Sequence, residues 1–339
     1  MDAHPLPVAS ATLDAGCAAV FRTLADGRRH PFAEFAPGAE ARLAALASLG
    51  MPMRIDGDAV LATPFVPLDA ASIATAIDGG ATVRRRGPWR VRVAFELGST
   101  NTDLLHDVKR HDDRDAPLVL AAELQHAGRG RLGRGWSSAP GASITASFAL
   151  RIARTLAGLD GVTLVCGLAV QRVLAARGVA VRLKWPNDLL LDGRKLAGIL
   201  VEVHAGAATT LVIGVGINVA FAAPRSGRPS ALPPANLVGD GSEPIDRNRL
   251  IAELALALER HLARFESDGF GAFVEAWNAA DAYADRAVRL ESPPAPAVLG
   301  IARGVDDRGA LLLEVGGARR RVIAGDVSLR PDRAAADAP

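Results

Sequence analysis

The stretch KWPNDLLLDGRKLAGILVE, residues 184–202, decides how the central part of this 339-residue chain folds. Pro186 has no backbone N–H to give to a neighbouring strand, so residues 185–188 are expected to form an irregular turn that exposes its polar side chains. Asp192-Gly193 is a dipeptide typical of a tight hairpin turn. Strands are therefore predicted on both sides of it, at residues 188–191 and 195–204.

The segments around this hairpin show further strand and helix patterns. Apolar runs predict strands at residues 89–96, 118–123, 143–151, 181–184 and 209–218. Helical spacing of apolar residues, with capping residues or glycines at the ends, predicts helices at residues 68–77, 99–110, 159–177, 246–267 and 270–282. We interpret residues 67–285 as one central domain.

Two smaller units are predicted on either side of the central domain. Residues 1–66 contain two helical stretches, 15–25 and 39–49, and then a predicted hairpin around Asp56-Gly57, which suggests a reduced winged-helix-like domain. Residues 286–331 contain five short strand patterns, which suggests a small barrel of SH3-like size. Residues 332–339 are expected to be a disordered tail.

The composition argues against several classes of protein. Hydrophobic residues make up 49% and charged residues 22%, which is ordinary for a globular protein and argues against wholesale disorder. The net charge of +2 gives no strong overall attraction to nucleic acid or membrane. The two cysteines are far apart and no histidines cluster at metal spacing, so a disulfide framework or a zinc site is not expected. Without a basic leader or a long uncharged apolar stretch, the chain is expected to be a soluble cytoplasmic protein.

Lysine is scarce, and its positions are therefore informative. Three of the 39 basic residues are lysines, which leaves 36 arginines, and Lys184 and Lys195 both fall within the opening stretch. A point charge is the property that distinguishes lysine from the planar guanidinium of arginine. Asp188 could hold Mg²⁺ on a triphosphate, because magnesium prefers one or two carboxylates together with phosphate oxygens. A surface salt bridge is the alternative interpretation for any single lysine–aspartate pair.

GRGRLGR, residues 128–134, is the most unusual local sequence in the chain. Its glycines permit tight turns whose amides can face an anion, and Arg129, Arg131 and Arg134 supply charge and paired donors. Such a loop suits a phosphate or acyl-phosphate group. No GK[ST] follows, so it is not a P-loop. An RGG-like nucleic-acid segment and a solvated loop are the alternatives.

Residues 99–101, Ser-Thr-Asn, open a predicted helix directly after a strand. Simple helix capping by Ser99 explains the serine, because its hydroxyl can accept from an amide of the first turn. The functional alternative is a set of polar groups that bind a small neutral ring such as a urea.

Gly214-Val215-Gly216-Ile217-Asn218 ends another predicted strand. Its glycines allow a flat group to approach the backbone closely, and Asn218 can pair with an amide or a purine edge. Three of the six asparagines of the chain, Asn101, Asn187 and Asn218, lie in these motifs.

Together, these motifs resemble those of bacterial biotin–protein ligases. The matching segments are GRGRLGRGW from residue 128, KWPNDLLLDGRKLAGILVE from 184, GVGINV from 214 and GDVSLR from 325. The resemblance spans about residues 68–330 and is to the larger type of ligase, which carries an N-terminal winged helix. Lipoate ligases share the catalytic fold, but the combination of GRGRxGR with KWPND is typical of biotin ligases.

The resemblance implies an α+β fold with three parts. These are a central domain similar to class II aminoacyl-tRNA synthetases, with a mixed, largely antiparallel sheet, a winged-helix-like N-terminal unit and an SH3-like C-terminal barrel. It also implies an ATP- and Mg²⁺-dependent ligase. Biotin would form biotinyl-adenylate and then pass to a lysine on the biotin carboxyl carrier domain of acetyl-CoA carboxylase or other biotin-dependent carboxylases. Homodimers occur among such proteins.

The resemblance also implies a role for individual residues, carried over by position. Lys195, Arg129 and Arg131 would be catalytic. Biotin would contact Ser99, Thr100, Asn101, Gln125, Arg129, Gly130, Arg131 and Lys195. ATP would contact Arg129, Arg131, Arg134, Trp136, Lys184, Asn187, Asp188 and Asn218, with Asp188 also near Mg²⁺.

Three positions depart from the family pattern without removing a group needed for the chemistry. Gly98 stands where an acidic residue is usual, although Glu96 lies two residues earlier, and His126 and Gly135 replace other common residues.

The first unit departs further from the family pattern, because residues 1–66 have room for two full helices rather than the three of a winged helix. Its second helix offers only Glu40, Arg42 and Ser48 as polar side chains, which is poor material for reading bases. DNA binding, and with it a second activity as a biotin-operon repressor, is therefore disfavoured. A lipoate–protein ligase on the same fold is a further alternative.

Overall fold

The computed structural model describes residues 13–80, 87–111, 116–206, 208–220, 232–239, 243–292, 294–323 and 328–331. Residues 325–327 of the C-terminal motif and the predicted tail at 332–339 lie outside the described residues. Within the described ranges, no helix combines the length and the apolar character needed to cross a membrane.

The first unit, residues 13–65, packs two helices against a three-stranded antiparallel sheet. Its elements are α1 (Ala15–Thr23), β1 (Arg29–Pro31), α2 (Ala39–Ser48), β2 (Met53–Asp56) and β3 (Ala59–Ala62), and the sheet order is β1-β3-β2. The two predicted helices and the hairpin are confirmed, and β1 is an element that the sequence did not predict. A single 3-10 turn, Phe32–Glu34, fills the stretch before α2. The unit has its own hydrophobic cluster, on which Phe95 of the central domain also packs.

The central domain contains a seven-stranded mixed sheet in the order β4-β5-β6-β10-β9-β8-β7. Its strands are β4 (Arg90–Leu97), β5 (Leu118–Gln125), β6 (Ser143–Ile152), β7 (Arg182–Lys184), β8 (Asp188–Leu191), β9 (Arg194–Ala205) and β10 (Thr209–Asn218). β4 and β5 are parallel, and the remaining neighbours are antiparallel. Every predicted strand of this domain is present, with boundaries shifted by two residues at most.

Helices cover both faces of this sheet. They are α3 (Ala70–Gly80), α4 (Thr100–Arg110), α5 (Val162–Ala176), α6 (Arg247–Asp268) and α7 (Val274–Ala280). Alternate residues of β10, from Leu211 to Ile217, face the main core, which also contains α5 and α6. Val212 faces the other way and packs against α4 in a smaller cluster. Gly214 and Gly216 share that second face, so the sheet surface beside α4 is bare backbone there.

The start of α5 differs from the prediction of a helix over residues 159–177. Gly161 precedes the helix in a left-handed conformation, with φ +78°, and residues 156–158 form a separate 3-10 turn. The predicted end is confirmed, because Gly178 has φ +79° and follows the last turn.

The last unit is a five-stranded antiparallel sheet of SH3-like size. Its strands are β11 (Ala287–Ser292), β12 (Ala295–Val305), β13 (Leu311–Val315), β14 (Ala318–Val322) and β15 (Ser328–Pro331), in the order β14-β13-β12-β11-β15. Val288, Leu311 and Leu329 belong to the same hydrophobic core as the central sheet. The unit is therefore packed directly on the central domain.

A buried ion pair joins the linker of the first unit to the central domain. Arg247, the first residue of α6, donates from Nη1 to Oε2 of Glu123 at 2.7 Å and from Nη2 to Oε1 at 2.9 Å. Both residues are almost fully buried. The guanidinium also donates to the carbonyl oxygen of Val66, and Glu123 accepts from the backbone N–H of Leu68. The linker backbone is thus held by the pair that connects α6 to β5.

Candidate functional site

The arginine loop, residues 126–136, folds back on itself over the face of the sheet that carries α4. The N–H of Trp136 donates to the carbonyl oxygen of Gly128 at 2.8 Å, and the N–H of Gly130 donates to that of Arg134 at 2.7 Å. A Cβ atom on residue 128 would lie 2.3 Å from the carbonyl oxygen of Trp136. Glycine is therefore required at this position for the loop to close.

The loop places Trp136 on the glycine pair, Gly198 and Gly216. These residues are direct neighbours on β9 and β10. A Cβ on residue 216 would lie 2.3 Å from Cε2 of the indole, and one on residue 198 would lie 3.1 Å from Cζ3. The glycines of the GVGIN segment were expected to let a flat group approach the backbone closely. In this structure that flat group is the indole of Trp136. Its Nε1–H is buried and finds no acceptor among the described residues.

One side of the site is the amide cluster, Thr100, Asn101, Gln125 and Ser147. Oε1 of Gln125 accepts from the backbone N–H of Thr100 at 2.7 Å and from its hydroxyl at 3.0 Å. Oγ of Ser147 lies 2.8 Å from both Oγ1 of Thr100 and Oδ1 of Asn101. Ser99 caps α4 by accepting from the N–H of Thr102, so its simple capping role is confirmed. The predicted residues Thr100, Asn101 and Gln125 are thus brought together by a serine that the sequence did not single out.

Arg129 lies beside the amide cluster. Its guanidinium donates to both carboxylate oxygens of Glu202 on β9, with Nη2 at 3.0 Å from Oε1 and Nη1 at 3.3 Å from Oε2. Nη1 also lies 3.2 Å from Oγ1 of Thr102. The same Glu202 accepts from Nδ2 of Asn101 at 2.7 Å. Arg129 was grouped with Arg131 and Lys195 as catalytic, but here its contacts are with Glu202 and α4.

The other side of the site is the lysine cluster, Lys184, Asp188 and Lys195. Asp188 accepts from Nζ of Lys195 on Oδ1 at 2.7 Å and from Nζ of Lys184 on Oδ2 at 2.9 Å. Burial by itself raises the pKa of Asp188, but the two ammonium groups outweigh it and hold the pKa at about 2. Burial lowers the pKa of Lys184, with Asp188 partly opposing this and Lys195 and Arg134 adding to it. The carboxylate therefore stays charged and fixes both lysines.

The expectation that residues 185–188 expose their polar side chains is wrong for this turn. Trp185 is fully buried and donates from Nε1 to the carbonyl oxygen of Gly309 in the last unit, and Asn187 and Asp188 are only partly exposed. The N–H of Ala282 donates to the carbonyl oxygen of Leu183, just before the turn. Burial of the neighbouring Tyr283, together with the charges of Asp188 and Asp281, raises the pKa of Tyr283 to about 12. The turn is buried because segments about a hundred residues later in the chain cover it.

Arg131 and Arg134 lie on the lysine side of the loop. Nη1 of Arg131 is 3.4 Å from Oδ1 of Asn187, and Nδ2 of Asn187 donates to the carbonyl oxygen of Ile199 at 2.9 Å. Arg134 is close enough to lower the pKa of Lys184. The loop therefore spans the site, with one arginine at the amide cluster and two towards the lysine cluster.

Asn218 has a different set of contacts from those expected of an adenine-binding side chain. Its Nδ2 donates to the carbonyl oxygens of Lys195 and Ala235, at 3.2 and 3.1 Å. The N–H of Lys195 donates in turn to the carbonyl oxygen of Pro233. Asn218 thus holds the segment at residues 233–235 against β9, directly behind Lys195.

Comparison with known proteins identifies the family. Residues 95–218 match the model of the biotin/lipoate A/B protein ligase family, and residues 284–330 match that of the biotin protein ligase C-terminal domain. The bifunctional ligase/repressor BirA of Escherichia coli is 37% identical over 274 residues, which cover 80% of this chain and 80% of that protein. The chain belongs to the biotin protein ligase family.

A second relative in the biotin protein ligase family is about the size of the central and last units alone. The biotin--[acetyl-CoA-carboxylase] ligase of Mycobacterium tuberculosis is 38% identical over 267 residues, which cover 77% of this chain and 95% of that protein. The solved structure of a biotin protein ligase from Aquifex aeolicus in complex with biotin and ATP has a TM-score of 0.59 and 24% identity, and covers 72% of this chain and 99% of that one. This likeness confirms the fold of the family for the chain.

All candidate residues from Ser99 to Asn218 fall within the first match to the biotin protein ligase family. Ser147 and Glu202 also lie there, and the sequence analysis missed both. Ser147 sits in a buried strand run with no local signal. Glu202 could have been noticed as a single carboxylate inside the otherwise apolar stretch LAGILVEV.

Proposed function

We propose that this chain is an ATP-dependent biotin–protein ligase. The proposal rests on one observation: the arginine loop spans from the neutral amide cluster to the cationic lysine cluster. A ligand with a urea at one end and an acyl phosphate at the other needs these two environments in one site. The relative that is 38% identical and covers 77% of the chain is named a biotin--[acetyl-CoA-carboxylase] ligase, which supports the same assignment.

The amide cluster has the chemistry to bind the ureido ring of biotin. Oε1 of Gln125 is already bonded to Thr100, and its Nε2 has no acceptor among the residues that the structure describes. That donor is available for the urea carbonyl, and the hydroxyls of Thr100 and Ser147 can rotate to serve the urea N–H groups. A site that satisfies a polar group by hydrogen bonds rejects analogues that lack it. A carboxylic acid without the urea would leave these buried groups unpaired.

The lysine cluster has the chemistry for adenylation. An oxygen of the biotin carboxylate attacks the α-phosphorus of ATP, and the bond from that phosphorus to the bridging oxygen breaks as pyrophosphate leaves with its electron pair. Lys195, Arg131 and Arg134 would neutralise charge that builds on the phosphorus oxygens, so no acid is needed to expel pyrophosphate. Asp188 keeps Lys195 fixed before the nucleotide arrives.

In the second step, the ε-amine of an acceptor lysine attacks the acyl carbon of biotinyl-adenylate and AMP leaves. We propose that the acceptor belongs to the biotin carboxyl carrier domain of acetyl-CoA carboxylase or of a similar carboxylase. The closed arginine loop would exclude water from the mixed anhydride until the acceptor arrives. We also propose that the reaction takes place in the cytoplasm, where the ligase would encounter such carboxylases.

The predicted Mg²⁺ contact at Asp188 does not fit the arrangement of the lysine cluster. Both of its carboxylate oxygens accept from ammonium groups, at 2.7 and 2.9 Å. No group of three or more metal-ligating side chains exists among the described residues. Magnesium bound by one already paired carboxylate would have to displace a lysine, so Asp188 is assigned to the lysines.

The names of the BirA relatives include a second activity as a repressor, and such an activity, with the DNA binding it would need, is not proposed for this chain. The one cation of α2, Arg42, donates to Asp14 from Nε and Nη2 and is thereby tied to the start of α1. A fragment of a biotin operon should therefore not be retarded in a gel by the protein with biotin and ATP, even at low salt. A salt-dependent shift would restore the repressor.

Self-association through the edge of the central sheet is also a proposal. Strand β4 is one edge, and its residues Phe95 and Glu96 already contact the first unit through Phe21 and the N–H of Leu13. A homodimer would therefore have to use the remaining length of β4 or the opposite edge. Sedimentation of the protein with and without biotin and ATP tests this.

The main test is ATP–pyrophosphate exchange measured separately with biotin and with lipoate. Exchange should require biotin, and exchange that requires lipoate and ignores biotin would overturn the proposal. Lys195→Ala and Arg131→Ala should each lose at least about a hundredfold in rate, because each removes a charged donor from the transferring phosphorus. Lys109→Ala is the matched control, since Lys109 is an exposed lysine in the last turn of α4.

A further inference from the structure

Glu202 is a charged residue on a strand whose other side chains are mostly apolar. It lies on β9 opposite Val212 of β10, on the face of the sheet that also carries the glycine pair. The ligation chemistry proposed above uses no carboxylate at this position. Its two partners, Arg129 and Asn101, come from different parts of the chain, which distinguishes it from an ordinary surface ion pair.

The first partner is the arginine loop. Arg129 donates to both oxygens of Glu202, at 3.0 and 3.3 Å, so the pair is held at two points rather than one. Nη1 of Arg129 also reaches the hydroxyl of Thr102 on α4. The loop is therefore attached to β9 and to α4 through a single guanidinium.

The second partner is the amide cluster. Nδ2 of Asn101 donates to Oε2 of Glu202 at 2.7 Å, while Oδ1 of Asn101 lies 2.8 Å from Oγ of Ser147. A carboxylate can only accept, so Glu202 fixes which end of the Asn101 amide faces β9. The Asn101 oxygen is consequently turned towards Ser147 and the rest of the cluster.

We propose that Glu202 is a positioning residue that couples the arginine loop to the biotin site. Its carboxylate holds Arg129, and with it the loop, next to the amide cluster before any ligand binds, and it sets the hydrogen-bonding pattern of Asn101. The assignment of the amide cluster to biotin rests on the proposed function. The attachment of the loop does not, because it concerns the ligand-free protein.

Glu202→Gln tests the attachment of the loop directly. Glutamine keeps the shape of the side chain but removes the charge that holds Arg129. Trypsin cleaves after arginine, so nicking at Arg131 and Arg134 reports how often the loop opens. Nicking of the ligand-free variant should be about fivefold faster than nicking of the wild type. This factor corresponds to the largest stabilisation that is usual for a partly exposed ion pair. An unchanged rate would overturn the attachment.

Biotin affinity, measured by calorimetry, tests the effect on the amide cluster. The Asn101 amide loses its fixed orientation in Glu202→Gln, so the dissociation constant for biotin should rise about tenfold, as for a lost charged hydrogen bond. The KM for ATP should change much less. A biotin affinity equal to or tighter than that of the wild type would overturn the positioning role. Failure of the wild type to bind biotin would instead overturn the proposed function and leave the nicking test intact.

Two further variants separate positioning from loss of stability. Glu253→Gln is the control, because Glu253 on α6 also contacts two arginines, Arg177 and Arg249, but lies away from the loop. This variant should change neither nicking nor biotin affinity. In an Arg129→Gln background, Glu202→Gln should add little to nicking, because the partner is already lost. If the two substitutions instead have fully additive effects on the nicking rate, the Arg129–Glu202 ion pair is not what attaches the loop to β9. The unfolding temperature of Glu202→Gln should move by no more than about 3 °C.

Discussion

Nζ of Lys195 lies 2.7 Å from Oδ1 of Asp188, and the same carboxylate holds Lys184 on its other oxygen. One anion therefore sets the position of two of the three lysines in the chain. Because Asp188 and Lys184 are both largely buried, this is a network whose members depend on one another.

Replacing Asp188 by Asn should damage both the chemistry and the fold. The variant leaves Lys184 buried without a counter-charge, and removal of one partner of a buried pair typically costs about 3–5 kcal/mol of unfolding free energy. Lys195 also loses its fixed position, so single-turnover adenylate formation should fall at least about a hundredfold. Urea unfolding and a rapid-quench assay measure the two effects. A fully stable variant with wild-type rates would mean that Asp188 is not the organising group of the cluster.

Asp281 predicts a pH dependence of stability. Its Oδ1 accepts from the N–H of Tyr283, while Oδ2 is buried without a partner among the described residues, and burial raises its pKa from 3.8 to about 6. A carboxyl with a raised folded pKa stays protonated longer when folded, so the protein loses stability as the pH rises from 3.8 to 6.

Asp281→Asn should therefore be more stable than the wild type at pH 7.5, by about 1–3 kcal/mol, and similar to it near pH 4. Urea unfolding at the two pH values measures this difference. Asp56→Asn, an exposed change in the hairpin of the first unit, is the control and should show no such pH dependence. Equal stabilities of Asp281→Asn and wild type at pH 7.5 would contradict the expectation.

The Arg247–Glu123 pair predicts a large effect far from the chemistry. Arg247→Met should lower the free energy of unfolding by about 3–5 kcal/mol, because it leaves the buried carboxylate of Glu123 unpaired. Adding Glu123→Gln should recover part of the loss, since glutamine carries no charge and its single amide oxygen can still accept from the N–H of Leu68. Urea titrations of the two single variants and the double variant form the measurement. A double variant no better than Arg247→Met would show that the charge is not the cause.

Gly216→Ala should displace Trp136 from the glycine pair. The added Cβ would lie 2.3 Å from the indole, closer than any real contact. The other three tryptophans, Trp89, Trp185 and Trp277, are buried, so acrylamide quenching reports mainly on Trp136 and should increase. Gly79→Ala, in a helix with open space around the new Cβ, is the matched control and should leave quenching unchanged. Unaltered quenching in Gly216→Ala would mean that the indole does not rest there in solution.

Local signals explain which parts of the fold could be predicted. Asp192 and Gly193 both adopt positive φ values in the predicted hairpin turn, and Ser99 caps α4, because these conformations depend on neighbouring residues alone. The burial of Trp185 could not be predicted, since its hydrogen-bond acceptor is the carbonyl oxygen of Gly309, which lies far along the chain. The role of Ser147 was missed for the same reason, because its partners, Thr100 and Asn101, come from another element.

The contact between Arg247 and the carbonyl oxygen of Val66 has a consequence for how the chain can be divided. A protein shortened to begin after residue 66 would keep the buried guanidinium but lose one of its acceptors, and would expose Phe95 where the first unit now packs. The first unit is in this respect not a detachable module. The first unit covers Phe95 of the central domain, and the adjoining linker supplies an acceptor to Arg247. Removing the first unit and the linker should therefore lower the solubility and the stability of the protein even if the unit takes no part in ligation.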